Sequence, residues 1–275
     1  MEIITIDVLM TCHNRREQTI SCLNSLFQFE TDSLRFEVYL VDDGSQDLTK
    51  ESVNINFPKV NIIEGSGVLF WAAGMALAEA SIRNPSAWTL WLNDDLILNP
   101  ETLNFSKLLA NNDQNCISIG QISDRLGNFL YGGTFQFGIL KDNLKSVQLE
   151  SHVNREPKTF NGNFVLMPLS VRRKIGPIDG GFSHGYADMD YGLRAKKMGI
   201  KTELPPLISA DKPSNPFAVK TNDTDIPVET RVNSHIVDAL HEISKTKEIT
   251  AGKTKSVKRK AQTTLFGAMV KEGEV

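Results

Sequence analysis

The stretch Trp88-Thr89-Leu90-Trp91-Leu92-Asn93-Asp94-Asp95 joins an uninterrupted apolar run to an abrupt acidic end. Five apolar or β-favouring residues lead directly into an amide and two adjacent carboxylates. A run of this length bounded by polar residues is typical of a strand that is covered on both faces, as in a parallel sheet flanked by helices. The two carboxylates are therefore predicted to lie at the carboxyl end of a buried strand.

That position is informative because open α/β sheets bind their ligands at the carboxyl ends of the strands. Two neighbouring acids repel each other unless a cation, ribose hydroxyls or other donors stabilise them. The sequence therefore predicts a polar ligand at Asp94 and Asp95, and a divalent metal is the simplest choice.

The same alternation of strand, polar loop and helix recurs along the first hundred residues. Strand-like runs cover residues 3–10, 37–41 and 60–63, and helical patterns follow around Ile20, Leu23 and Leu26 and over residues 70–82. Strands alternating with helices imply right-handed crossovers and a mostly parallel sheet, that is, an α/β fold. The loops after these strands should share one edge, which would gather the acids Asp42, Asp43, Asp94 and Asp95.

Length and net charge limit the classes of protein to which this chain can belong. A chain of 275 residues with 40% hydrophobic content supports one sizeable domain and a short appendage. A net charge of −3 makes nucleic acid an unexpected partner. The three cysteines lack metal-ligand spacing, which favours reduced packing thiols and a cytoplasmic setting. No window approaches the roughly 20 apolar residues of a membrane span, so we expect a soluble or peripheral protein.

The C-terminal fifth has a different pattern. We predict a boundary near residues 225–226, where a Pro/Asn/Asp-rich connector gives way to helical spacing at Val228, Val232, Ile236, Leu240 and Ile243. Seven basic residues between Lys245 and Lys260 follow, opposed only by Glu248. This extension over residues 226–275 is either a solvated tail or a contact with an anionic membrane surface, where each basic residue contributes roughly 1 kcal/mol.

The usual nucleotide-binding loops are absent from the sequence. In the segment 65–70, Phe70 stands where the third glycine of a dinucleotide fingerprint belongs, and no Walker-type loop occurs. Phosphates would have to be neutralised by a metal, by Arg15 or by backbone donors. Magnesium or manganese, held by one or two carboxylates and by diphosphate oxygens, fits the pair Asp94 and Asp95.

Six motifs occur in an order that resembles inverting family 2 glycosyltransferases with the GT-A fold, and within them the bacterial rhamnosyltransferase-like members that build surface polysaccharides. The resemblance covers roughly residues 3–205. The motifs are Thr11 with Asn14-Arg15, Val41-Asp42-Asp43-Gly44-Ser45, Phe70-Trp71-Ala72-Ala73-Gly74-Met75, Leu92-Asn93-Asp94-Asp95, Asn161-Gly162-Asn163-Phe164 and Gly185-Tyr186-Ala187-Asp188-Met189-Asp190-Tyr191-Gly192-Leu193-Arg194.

The resemblance implies a role for particular residues. Asp95 is expected to ligate the metal, with Asp94 on the nucleotide sugar or assisting the metal. The expected substrate-binding residues are Thr11, Asn14, Arg15, Asp43, Gly67, Trp71, Asn93, Asp94 and Asn163. Asn93 replaces an Asp of many relatives, and the segment 207–212 lacks the histidine that often supplies another ligand, so Asp211 is a possible substitute.

Direct displacement at the anomeric carbon needs a base, because the attacking hydroxyl must lose its proton as the bond forms. Asp188 is the candidate, at the start of a helical segment that ends near Gly199. Its simpler interpretation is a helix N-cap. Asp190 is the alternative base, although at i+4 spacing it is better suited to pair with Arg194.

Other candidates also have simpler interpretations. Asp42 and Asp43 are common turn formers, Asp94-Asp95 could cap a helix before Pro100, and Trp71 could be a core aromatic. The resemblance implies transfer of one sugar from a dTDP- or UDP-linked donor to a lipid-linked glycan at the inner face of the membrane. A sugar nucleotidyltransferase would need a glycine-rich loop, which residues 11–15 lack. A non-catalytic nucleotide-sugar or glycan-binding module is the remaining alternative.

Overall fold

The computed structural model describes residues 3–111, 115–124, 129–136, 144–146, 156–182, 186–204 and 209–212. The predicted domain boundary at 225–226, the C-terminal helix and the basic segment lie outside these residues. So do His184 and Gly185.

The described chain alternates strands with helices, as the sequence predicts. The strands are β1 (Ile4–Cys12), β2 (Leu34–Asp42), β3 (Asn61–Glu64), β4 (Trp88–Leu92), β5 (Ile97–Leu98), β6 (Cys116–Ile119), β7 (Gln121–Asp124), β8 (Phe129–Tyr131), β9 (Gly133–Gln136), β10 (Leu144–Ser146), β11 (Thr159–Phe160), β12 (Phe164–Pro168), β13 (Lys201–Glu203) and β14 (Ser209–Lys212). The helices are α1 (Arg16–Phe27), α2 (Thr49–Asn56), α3 (Phe70–Ala80), α4 (Phe105–Asn111), α5 (Leu169–Ile175) and α6 (Ala187–Lys197).

A seven-stranded sheet in the order β13-β6-β12-β4-β1-β2-β3 forms the centre of the fold. All neighbouring pairs are parallel except those of β12, which runs antiparallel to both β4 and β6. The register aligns Cys12 with Asp42 and Asp42 with Glu64, so strands β1, β2 and β3 end side by side. The predicted α/β fold with a mostly parallel sheet is confirmed.

Each face of the central sheet is covered by its own apolar layer, and β4 lies between the two. All five residues of β4 are buried. Leu90 and Leu92 belong to one buried cluster, and Trp91 belongs to the other. Trp91 contacts Tyr191 edge to face, with ring centroids 4.7 Å apart. Aromatic pairs at this separation stabilise a core beyond their buried area.

The remaining strands form two smaller sheets beside the central one. One has the order β10-β9-β11, and the other has the order β5-β14-β7-β8. The three cysteines Cys12, Cys22 and Cys116 are buried thiols, as predicted. Among the helices of the described ranges, none has the length and apolar character that crossing a bilayer requires.

The acidic side chain of Asp7 is buried in the central sheet. Asp7 in β1 is fully buried, and its Oδ2 accepts the backbone N–H of Ser86 at 2.8 Å. Its Oδ1 has no hydrogen-bond partner within the described residues. Burial raises the pKa of Asp7 above its ordinary value of 3.8, although the Ser86 hydrogen bond and the charge of Arg172 act in the opposite direction.

The raised pKa makes a prediction about stability. Because the folded chain holds the Asp7 proton more tightly than the unfolded chain, this group favours folding at low pH. That contribution is lost as the pH rises from the ordinary value of 3.8 through the raised pKa. In urea unfolding between about pH 4 and pH 8, the stability of the wild type relative to Asp7→Asn should therefore fall. Asp32→Asn, at an exposed position, is the matched control. A difference that stays constant with pH would contradict the assignment.

Candidate active site

The loops that follow β1 and β2 are bound to each other at the carboxyl edge of the sheet. His13 Nδ1 donates to the carbonyl oxygen of Asp43 at 2.6 Å. The Asn14 N–H donates to Ser45 Oγ at 2.9 Å, and Asn14 Oδ1 accepts the N–H of Gln46 at 2.7 Å. Asn14 has a left-handed backbone, with φ of 53°. In this structure Asn14 joins two loops, and its contact with the donor stays a prediction.

Asp43 fixes a third loop. Its carboxylate oxygens accept the backbone N–H groups of Gly67, Leu69 and Phe70 at 2.7, 2.8 and 3.2 Å. Gly67 and Phe70 both have left-handed backbones, with φ of 88° and 54°. Such a conformation costs energy for a side chain as large as Phe, so the surrounding hydrogen bonds must hold it. The turn-forming role of Asp43 and its place in the site therefore coexist.

These loops surround a cleft of about 340 Å³. It is lined by Thr11, Cys12, His13, Arg15, Asp43, Phe70, Trp71, Asn93, Asp94 and Asp95. Seven of the predicted site residues thus share one cavity. Asn14, Gly67, Asn163 and Asp188 are not part of its wall.

Three cleft residues were not predicted from the sequence. Cys12 was expected to be a packing residue, His13 belonged to none of the motifs, and Phe70 opened the motif that contains Trp71 without a role of its own. Each of the three is a sequence neighbour of a predicted site residue, and this adjacency is the signal that could have placed them in the cleft.

Arg15 lies between the two acids at the end of β4. Its Nη1 is 3.0 Å from Asp94 Oδ1 and 3.2 Å from Asp95 Oδ2. The hydroxyl of Thr19 also donates to Asp94, at 3.4 Å. Asp94 and Asp95 are only 3% and 9% exposed, so their charges need a nearby cation. The charge of Asp94, and then that of Asp95, raises the pKa of Arg15. In this structure the guanidinium is the cation that the adjacent acids require.

Asn93 connects the cleft to the core through both ends of its amide. Its Oδ1 accepts the indole N–H of Trp71 at 2.9 Å, and its Nδ2 donates to Asn163 Oδ1 at 2.6 Å. The Asn93 N–H donates to the Asn163 carbonyl at 2.9 Å. Trp71 in turn packs edge to face against Trp91, with centroids 5.8 Å apart. Trp71 therefore both lines the cleft and belongs to the core.

Asp188 lies in the first turn of α6 and faces the loop before β12. Its Oδ2 accepts the N–H of Gly162 at 2.8 Å, and its Oδ1 accepts the N–H of Met189 at 2.8 Å. A Cβ at Gly162 would lie 2.3 Å from Trp71 Cζ2 and 3.3 Å from the Cβ of Asp188. The missing side chain at Gly162 thus lets Asp188 approach the outer edge of Trp71. Burial raises the pKa of Asp188, against the lowering effect of these hydrogen bonds.

The neighbouring acid Asp190 has a structural role, as predicted. Its carboxylate accepts Arg194 Nε at 2.8 Å, in the expected i+4 pair. Arg194 also donates to the carbonyl oxygens of Ile175 and Pro177. Asp190 therefore helps to fix α6 to the end of α5.

The oxygen ligands of the cleft suit a hard divalent cation. Asp94 and Asp95 offer adjacent carboxylates, but within the described residues no group of three His, Cys, Asp or Glu side chains is placed to hold a metal. Asp211, the possible extra ligand, belongs to β14, and its side chain is outside the described part of the chain. Magnesium and manganese commonly bind one or two carboxylates and take further oxygens from substrate phosphates. The donor set fits a metal that shares its ligands with a diphosphate.

The fold is the GT-A fold that several solved glycosyltransferases share. GalNAc-T7, solved with UDP, GalNAc and Mn²⁺, matches with a TM-score of 0.60 and 12% identity over 77% of this chain and 44% of that one. The Pyrobaculum calidifontis mannosyltransferase PcManGT, solved with GDP-Man and Mn²⁺, matches with a TM-score of 0.52 and 16% identity over 77% of this chain and 57% of that one. S. aureus TarS 1–349 matches with a TM-score of 0.54 and 14% identity over 76% of this chain and 60% of that one. The chain spans about half the length of these proteins.

The chain belongs to Glycosyl transferase family 2. The family model matches residues 7–154, which is more than half of the sequence. That segment contains the three loops of the cleft and the acidic pair. A comparison with curated proteins gave no match.

We predict that Asp43→Asn destabilises the fold. An amide keeps only one acceptor oxygen, so at least one of the three backbone N–H groups that Asp43 now accepts loses its partner. The expected loss in the free energy of unfolding is about 1–3 kcal/mol, measured by urea denaturation.

The matched control is Asp42→Asn. Asp42 is also buried, but its carboxylate accepts the N–H of Ser45 through Oδ1 alone among the hydrogen bonds described here, and an amide oxygen can replace it. This variant should lose less stability. Equal losses for the two variants would show that the hydrogen bonds of Asp43 do not hold the third loop.

Proposed function

We propose that this protein transfers one sugar from a nucleotide-diphosphate sugar to a hydroxyl group of a growing glycan, with inversion at the anomeric carbon. The observation that supports this best is the pair of acids Asp94 and Asp95. They lie beside the Arg15 guanidinium in the cleft at the carboxyl edge of the sheet. Family membership supports glycosyl transfer as the activity.

The donor would lie in the cleft with its diphosphate beside the acidic pair. Asp95 would hold Mg²⁺ or Mn²⁺, with Asp94 beside it, and the bound ion would neutralise charge on the leaving diphosphate. Thr11 lies on the cleft wall at the end of β1, the segment to which the resemblance assigns nucleotide binding. Trp71, whose indole N–H donates to Asn93, would support the donor sugar.

Asp188 would act as the base. As the acceptor oxygen bonds to the anomeric carbon, the bond from that carbon to the diphosphate oxygen breaks, and the acceptor proton passes to the Asp188 carboxylate. A raised pKa suits this role, because a stronger conjugate base takes a proton more readily at neutral pH. Its position next to Gly162, against the edge of Trp71, supports a place beside the donor sugar.

The proposal also covers the identities of the donor and of the acceptor. The motif resemblance favours a dTDP- or UDP-linked hexose or deoxyhexose such as rhamnose, and a lipid-linked surface polysaccharide as acceptor, on the cytoplasmic face of the membrane. UDP and GDP-Man are bound in the structures of GalNAc-T7 and PcManGT, so guanosine donors belong in any test. The basic segment that would contact the membrane lies outside the described residues.

The test is a panel of dTDP-, UDP- and GDP-sugars, scored first by metal-dependent protection against thermal unfolding, since a ligand of the native state raises its stability. With the selected donor, Asp95→Asn should lose the metal-dependent part of the protection. Asp188→Asn should keep the protection but transfer sugar about 10²–10⁴-fold more slowly, the usual contribution of a general base.

Asp190→Asn is the control for Asp188→Asn. It removes a carboxylate from the same helical turn, and that carboxylate is paired with Arg194. It should retain most of the transfer activity. Normal turnover by Asp188→Asn would refute the base assignment. Protection by a donor without release of nucleoside diphosphate from any acceptor would indicate a binding module instead of an enzyme.

A further inference from the structure

A single nitrogen atom of Arg15 contacts two different carboxylates. Nη1 lies 3.0 Å from Asp94 Oδ1 and 3.2 Å from Asp95 Oδ2. The two acids are adjacent in sequence at the end of a rigid buried strand, so their positions are fixed independently of Arg15. A positive group enclosed by two carboxylate oxygens from neighbouring residues has the arrangement of a chelated cation.

We propose that Arg15 occupies the divalent cation position in the donor-free protein, so that metal enters only when the guanidinium leaves. The inference rests on the proposed metal site at Asp95. It adds a competition between a side chain of this chain and the metal, and therefore an order of events in donor binding.

Electrostatics makes the two occupants exclusive. The carboxylates are nearly buried, and two buried anions without a cation carry a large desolvation cost. One cation between them removes most of that cost. A guanidinium and a divalent ion at the same point would repel each other, so binding of one displaces the other.

The side chains differ in their freedom to move. The side chain of Arg15 is 48% exposed, whereas those of Asp94 and Asp95 are 5% and 12% exposed. Arg15 directly precedes α1 and can swing into the cleft, while the acids stay at the end of β4. When metal arrives, Arg15 is therefore the group that moves.

The displaced guanidinium would remain useful. Arg15 lines the cleft, and a planar guanidinium pairs with phosphate oxygens through two parallel hydrogen bonds. A diphosphate would attract Arg15 away from the acids while supplying oxygens to the metal. Metal and donor should consequently bind cooperatively, and metal alone should bind weakly.

The test measures Mn²⁺ alone, with no nucleotide present, by electron paramagnetic resonance of the free ion. Arg15→Gln removes the competing charge and should bind Mn²⁺ about tenfold or more tightly than the wild type, within the usual range of coupling between sites. Arg16→Gln removes a neighbouring exposed arginine that is outside the cleft wall and should leave the affinity unchanged. Adding Asp95→Asn to Arg15→Gln should abolish the gain, which locates it at the acidic pair.

Equal Mn²⁺ affinity of the wild type and Arg15→Gln would overturn the inference. If Arg15→Gln does not fold, Arg15→Met provides the comparison, because it also removes the charge and keeps an unbranched side chain. A gain in Mn²⁺ affinity in the same direction is expected, and no gain overturns the proposal. The result is separate from the proposed function, because donor protection and transfer can succeed while Arg15 has no effect on binding of metal alone.

Discussion

The site depends on two adjacent carboxylates, Asp94 and Asp95, at the end of a strand that is buried on both faces. The strand cannot turn to expose them, so their charges must be compensated where they lie. This requirement explains why Thr19 and Arg15, from α1 and the loop before it, are drawn onto the loop after β4. The acidic pair thus organises the cleft before any ligand is present.

Two polar networks extend this organisation away from the acids. The carboxylate of Asp43 orders the backbone that leads into α3, and the amide of Asn93 holds Trp71 of α3 in place. Both networks therefore converge on Trp71, whose outer edge packs against Gly162 beside Asp188. Because Asp43 and Asn93 directly follow β2 and β4, and Asp188 lies in the first turn of α6, the cleft and the proposed base are positioned by rigid parts of the fold.

The features that were predicted from the sequence depend on local pattern. The apolar run of β4 and its acidic end gave the buried strand and the location of the cleft, and the i+4 spacing of Asp190 and Arg194 gave their ion pair. The features that were not predicted depend on long-range geometry. Arg15 meets its acidic partners across 79 and 80 residues, and Asn93 meets Asn163 across 70. No spacing rule connects such pairs, so the sequence could not show these contacts.

The most direct test of this account is to locate the cation. A crystal of the protein with Mn²⁺ and the nucleoside diphosphate of the selected donor can be measured at a wavelength where manganese scatters anomalously. We expect one anomalous peak in the cleft, bonded to Asp95 and to diphosphate oxygens, with Arg15 moved from between the two acids. A peak elsewhere on the molecule, with Arg15 still between Asp94 and Asp95, would contradict the account.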